Sequence, residues 1–283
     1  MATKKESRVE VKKTYKLYIN GAFPRSESGR VYEVLSAKKE FVANPCLASR
    51  KDLRDAVTAA RAAQSGWAKA TAYNRGQILY RIAEMLEGRA EQVALELSAA
   101  LGLTPLKARG IVTESIDRWV WYAGWSDKLS AIEGATNPVA GPYYNFTIPE
   151  PLGVVTIAAE NSFLDFIDAF AAAVVSGNSV VTLIDGGLAV PAMTFAEVLA
   201  TSDLPAGVIN ILTGSLAELS PWAASHMDID GFDISIIAKK NRAALKESGA
   251  ENLKRFYEGG QSQSPARITA FMESKTVWHT IGV

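Results

Sequence analysis

Two apolar runs, Leu152–Ala158 and Ser179–Ile184, flank a segment in which Phe163, Phe166, Ile167, Phe170, Ala171 and Val174 recur at steps of three and four residues. The runs are short and rich in β-branched residues, as strands buried on both faces of a parallel sheet are, and the spacing between them gives one apolar helix face. Gly177-Asn178 ends that helix. The pattern from Pro151 to Ile184 predicts a strand, helix, strand unit with a right-handed crossover, the seed of an α/β, doubly wound, Rossmann-like parallel sheet. Ligands of such sheets lie beyond the carboxyl ends of the strands, which directs attention to the loops after Ala158 and Ile184.

The rest of the pattern extends that unit in both directions. Tyr15–Ile19 and Val31–Leu35 read as two strands of a hairpin. Ser49, with Asp52 at the capping-box position, starts a helix running towards Trp67. Tyr73 to Leu101 reads as one long helix closed by Gly102, with a turn over Ser98–Thr104, and a further helix begins near Pro105. That helix carries the aromatic cluster Asp117–Trp125, whose spacing is that of core or subunit contacts. From about 140 to 151 the alternation of Tyr144, Phe146 and Ile148 predicts a strand projecting from the body. Beyond Ile184 follow a helix over Val190–Ala200, a turn at Asp203–Gly207, a strand over Val208–Leu212 and a helix opened by Thr213-Gly214-Ser215. A short strand within Ile229–Ile237 precedes an amphipathic helix from Ala238 to Phe256. Glu258–Pro265 reads as a linker and Arg267–His279 as a last strand.

Composition narrows the class. The 283 residues are 48% hydrophobic and 21% charged, enough apolar material for a substantial core. Thirty basic and thirty acidic residues cancel, so no global field draws in nucleic acid or an anionic membrane. The basic residues of the 238–256 helix are spread over a solvated face. Cys46 is the only cysteine, which excludes an intramolecular disulfide and suits a reducing compartment. The polar leader, residues 1–14, has no apolar run behind it, and the chain is expected in the cytoplasm.

Several phrases carry a resemblance. Leu17-Tyr-Ile-Asn-Gly21, Ser28-Gly-Arg30 with Tyr32-Glu-Val34, Arg75-Gly76, Glu150-Pro-Leu-Gly-Val154, Gly177-Asn-Ser-Val-Val181 and Leu204-Pro-Ala-Gly-Val-Ile-Asn210 succeed one another as in the aldehyde dehydrogenase superfamily. The likeness runs from residue 15 to the C-terminus. It implies a cofactor-type α/β domain over 15–257, and an oligomerisation sheet built from the hairpin at about 140–151 and the strand in 266–283. It also implies a departure, because the linker 258–265 stands where the family has its catalytic domain. The interface residues expected on this basis are Tyr143, Tyr144, Phe146, Ile148, Ile268, Phe271, Lys275, Val277 and Trp278.

The chemistry implied by the family is largely missing. Aldehyde oxidation requires a thiolate nucleophile, donors for an oxyanion, a general base and a nicotinamide. Cys46 lies far from any active-site phrase and reads as a small buried hydrophobe. The family's Pro-Trp-Asn phrase is replaced by Ala158-Ala159-Glu160-Asn161, with Glu160 rather than Asn161 in register. Glu258, immediately before Gly259-Gly260, is only an accidental match to the family's general base. The lysine and glutamate that hold the adenosine ribose are replaced by Leu183 and Gly186. The family's Phe-Thr-Gly-Ser phrase becomes Phe232-Asp233-Ile234-Ser235, in which Asp233 would repel a phosphate. Ala159, Glu160, Asn161, Leu183, Asp185, Gly186, Phe232, Asp233 and Ser235 are therefore expected to outline a vestigial pocket, with no catalytic residue, no metal and no cofactor on this chain.

The expectation is a non-catalytic subunit. It would assemble with a full-length aldehyde dehydrogenase carrying NAD or NADP, or with itself, without nucleic acid or membrane. The alternative is a self-assembling protein that binds a nucleotide or another small molecule at Glu160, Asn161 and Asp185. An independently active oxidoreductase is the least favoured reading.

Overall fold

The structure, a computed structural model, describes residues 12–260 and 263–281. Most of the leader, two linker residues and the last two residues lie outside these. In chain order the first elements are β1 (Val34–Leu35), β2 (Phe41–Ala43), α1 (Arg50–Lys69), α2 (Ala72–Glu87), α3 (Ala90–Leu101), α4 (Pro105–Ala123), α5 (Leu129–Glu133), β3 (Ala135–Asn137) and β4 (Tyr143–Pro151). They continue as β5 (Val154–Ala159), α6 (Phe163–Val175), β6 (Ser179–Ile184), α7 (Ala189–Leu199), β7 (Ile209–Thr213), α8 (Leu216–Ser225), β8 (Gly231–Asp233), α9 (Lys239–Gly249), β9 (Arg255–Tyr257), α10 (Pro265–Thr269) and β10 (Met272–Thr280).

The expected central unit is β5-α6-β6. Five parallel strands in the order β7-β6-β5-β8-β9 form the main sheet. Alternate residues feed two cores. Val155, Ile157, Val180 and Ile184 face α2, α3, α4, α6 and α7, while Val154, Ala158, Val181 and Leu183 face α1 and α8. Phe163, Phe166, Phe170, Phe195 and Trp119 pack ring against ring in the first core, with centroids 5.3 to 6.1 Å apart. This settles the Asp117–Trp125 cluster: Trp119 and Tyr122 are buried core residues. Between β4 and β5 the chain passes Gly153, whose φ is +138° and where a Cβ would run into the Asp230 carboxylate, so glycine is required there.

Strand order reverses between β5 and β8. The chain winds outward from β5 to β6 and β7, then returns to β8 on the other side. Such a switch point opens a crevice at the carboxyl ends of the two strands, here between the loops that begin at Glu160 and Ile234.

Several expectations are corrected. Tyr15–Ile19 and Val31–Leu35 do not pair. Tyr18 bridges to Ile211 at the edge of the main sheet, and β1 turns through Lys39, at φ +62°, onto β2. The long helix from Tyr73 to Leu101 is two helices, broken at Gly88-Arg89, and the turn expected over Ser98–Thr104 is confined to residues 102–104. The helix expected to reach Phe256 stops at Gly249. Leu253 then takes a left-handed φ of +56°, and Arg255–Tyr257 becomes the fifth sheet strand. The stretch read as a strand from Arg267 begins as helix α10, N-capped by Ser264 with Pro265 in its first turn.

Candidate functional site

Seven of the nine residues expected to outline a pocket divide into three groups, and Asp233 and Ser235 lie at the crevice described below. Leu183 and Phe232 are 0% exposed and belong to the core on the α1 and α8 face of the sheet, and Ala159 is buried in the core on the opposite face. Glu160 and Asn161 are exposed at the top of β5, Asn161 in the left-handed region at φ +60°, and Ser162 then caps α6 by accepting the Asp165 N–H. Asp185 and Gly186 are half-buried at the top of β6.

Asp185 is turned inward onto the backbone. Its Oδ1 accepts the Gly186 N–H at 2.7 Å, and its Oδ2 accepts the Leu216 N–H at 2.9 Å. The first amide of α8, a group that attracts anions, is thus satisfied by a carboxylate of the chain itself.

The crevice at the switch point is filled. Arg267, from α10, donates Nη2–H to Asp233 Oδ2 at 2.9 Å, with side-chain exposures of 1% and 3%. Its Nη1 donates to the Gly260 carbonyl, its guanidinium lies 5.3 Å from the Tyr257 ring centroid, and Asp233 Oδ1 accepts the Ser235 N–H at 2.9 Å. Asp233 therefore does not stand as a free charge facing a ligand; it is consumed inside the chain. A space of about 10 Å³, room for one water at most, remains among Ala158, Glu160, Ser162, Asp165, Asp233 and Arg267.

Beside it an open groove of about 510 Å³ runs between α8 and α9. Glu160 and Asp185 come together at one end. Leu216, Ser220, Ile236, Asn241 and Leu245 line the walls, and Ser220 Oγ is buried without a hydrogen-bond partner. Asn161 does not line it.

Neither sequence-level match to reactive chemistry meets this crevice. Cys46 is 4% exposed in the core with Leu17, Leu53 and Leu212, and its carbonyl accepts the Thr213 hydroxyl at 2.7 Å. Glu258 pairs with Lys246 of α9 at 2.7 Å, which holds its carboxyl below the usual range. Among the described residues no group of three His, Cys, Asp or Glu could hold a metal ion, and no helix is long and apolar enough to cross a membrane.

Sequence reasoning missed Arg267, Asp168 and Arg118. Asp168 Oδ1 is buried without a hydrogen bond, and Arg118 Nη1 stands 3.8 Å from its Oδ2. Burial pushes the Asp168 carboxyl up to about 6, against the pull of Arg118 and Arg267. The signal was present: Asp168 is an acid within the otherwise apolar stripe of α6, where an unpaired charge is costly.

A second candidate site is the antiparallel ribbon outside the main sheet. β4 and β10 pair antiparallel over nine residues, from Met272 opposite Pro151 to Thr280 opposite Tyr143, with β3 on the far side of β4. The expected interface residues sort onto the two faces of this ribbon. Tyr143 and Trp278, with ring centroids 5.9 Å apart, share one face; Tyr144, Phe146, Ile148, Lys275 and Val277 share the other. On the second face Phe146 stacks on His279 at 5.6 Å and 14°, and Lys275 pairs with Glu150 at 3.2 Å. Tyr144 and Trp278 are 50% and 57% exposed. Ile268 and Phe271 are corrected: both are 0% exposed, in the core ahead of the strand, because α10 rather than an edge strand carries the chain there.

The sequence model of the Aldehyde dehydrogenase family matches residues 23–272, and the chain belongs to that family. It is 33% identical over 269 residues to retinal dehydrogenase 2 of Mus musculus, covering 93% of this chain and 51% of that protein. It is 30% identical over 263 residues to mitochondrial 10-formyltetrahydrofolate dehydrogenase of Homo sapiens, covering 89% of this chain and 28% of that one. Among solved structures, an NAD-dependent aldehyde dehydrogenase from Sinorhizobium meliloti superposes with a TM-score of 0.80 at 26% identity, over 87% of this chain and 50% of its own. The five-stranded sheet is thus the Rossmann-like cofactor domain of the family, and the chain spans about half the length of relatives such as the retinal dehydrogenase, or less.

Proposed function

We propose that this chain is a non-catalytic member of the aldehyde dehydrogenase family that acts by assembly, joining a full-length aldehyde dehydrogenase or a second copy of itself. The aldehyde oxidation and the NAD or NADP would belong to the partner. The observation that carries this reading is the nine-residue β4–β10 ladder. It keeps an exposed, aromatic assembly ribbon, joined to the cofactor domain by residues 258–265 where the family has its catalytic domain. An edge strand of this length, with no proline within it, calls for a covering partner.

The crevice supports the same reading. The residues present do not fit a dinucleotide: the switch point is closed by Arg267 and Asp233, the ribose-holding positions are Leu183 and Gly186, and the first amide of α8 is held by Asp185. The one thiol is buried away from the crevice loops. Replacing it in the purified assembly, Cys46→Ser, is expected to leave aldehyde oxidation unchanged; loss of the activity with the assembly intact would overturn the reading.

The open groove between α8 and α9 favours a second reading, a small-molecule or nucleotide-binding regulator. About 510 Å³ accepts a compact ligand with an apolar body, and the unpartnered Ser220 hydroxyl supplies one polar contact.

A further inference from the structure

Within the family's cofactor domain, the end of the crevice at the switch point is filled by a side chain from the segment that leads to the assembly strand. Arg267 lies in α10, and β10 begins five residues later at Met272. The buried guanidinium is tied to Asp233 at the carboxyl end of β8 and to the Gly260 carbonyl. Two further side chains hold the same junction. Asn178, between α6 and β6, donates to the Phe271 carbonyl at 2.9 Å, and Arg255 of β9 donates to the carbonyls of Ala270 and Met272. The backbone N–H of Leu152, between β4 and β5, also donates to the Phe271 carbonyl. Of these contacts, only that of Arg267 sets one buried full charge against another, and such a pair is unforgiving: removing one member leaves the other charged and buried.

We propose that Arg267 is a positioning residue for assembly, a latch that occupies the crevice at the switch point and, through α10, sets the place of β10 against β4. Where the family is built to accept a ligand, this chain places its own guanidinium. The crevice then acts as a structural socket whose occupant orients the assembly ribbon. The importance of the ribbon rests on the assembly reading above, but the latch itself is read within the chain.

The test is hydrogen exchange on the full chain, in wild type, Arg267→Met, Arg267→Lys and the double variant Asp233→Leu/Arg267→Met. Arg267→Met strands the Asp233 carboxylate, so the amides of β9 and β10 are expected to lose at least tenfold in protection while those of β5, β6 and β7 keep theirs. Arg267→Lys keeps the charge without the planar fork and is expected to fall between. The double variant removes the latch without stranding a charge, so β10 is expected to stay more than threefold less protected than in wild type while β5, β6 and β7 keep their protection. If Arg267→Met proves insoluble, the double variant reads the same local loss. Unchanged β10 protection in Arg267→Met, loss spread evenly over the whole sheet, or a double variant with β10 protection within threefold of wild type would each overturn it. These outcomes do not depend on a partner, so failure of the latch leaves the assembly reading standing, and a chain that assembles with nothing leaves the latch standing.

Discussion

Asp185 Oδ2 accepts the Leu216 N–H at 2.9 Å, closing the N-terminus of α8 with a carboxylate from the loop after β6. One side chain thus ties together two of the loops that border the open groove.

That bond has a measurable worth. Asp185→Ala leaves the first amide of α8 and the Gly186 amide unpaired and is expected to cost about 1 kcal/mol, the usual cost of losing a cap. In thermal unfolding this lowers Tm by about 2–4 °C for a chain of this size. An unchanged Tm would show that water replaces the carboxylate without loss.

Asp168 makes stability depend on pH in a defined direction. Its ordinary value is 3.8, and burial raises it to about 6 in the folded chain. Below pH 4 the carboxyl is protonated in both folded and unfolded states, and above about 6 it is ionised in both, with the folded state bearing the buried charge. The folded state holds the extra proton between these values, so the contribution of this group falls as pH rises through that window, by roughly 2–3 kcal/mol in all. Asp168→Asn is expected to raise Tm at pH 7.5, and the gain to shrink as pH approaches 4.5. A gain independent of pH would contradict the assignment.

On one face of the assembly ribbon the aromatic residues cluster, and an unpaired charge there is expected to weaken assembly. Phe146 stacks on His279 between Tyr144 and Val277. Phe146→Asp is expected to weaken assembly at least tenfold, about 1.4 kcal/mol, as read by sedimentation across a dilution series. The circular dichroism of the separated chain is expected to match wild type, because β4 lies outside the main sheet.

The β5-α6-β6 unit was legible because every local signal agreed: apolar runs of strand length, an apolar stripe at helical spacing, and Gly177-Asn178 at the helix end. Ser49 with Asp52 was legible for the same reason, and both capping-box bonds form. The break between α2 and α3 was hidden because the apolar stripe passes from Met85 and Leu86 to Val93 across Gly88 without losing phase. β9 was hidden because it is three residues long and follows a turn made by Leu253, a residue with no preference for the left-handed region. The pairing of Tyr18 with Ile211 joins positions far apart in sequence, which no local pattern shows. The candidate site was half legible. Missing family residues could be counted along the chain, and the ribbon residues could be named. That Asp233 is neutralised by Arg267 rather than facing a ligand depends on α10, a single helical turn whose Ser264-Pro265 start reads as part of a linker.

The measurement that bears most directly on the assembly reading is native mass spectrometry of the protein purified from its own host, with bound small molecules identified. The expected result is a complex with a larger aldehyde dehydrogenase, or with further copies of this chain, in which no dinucleotide is assigned to this chain. A homo-oligomer carrying one NAD or NADP per chain would contradict it.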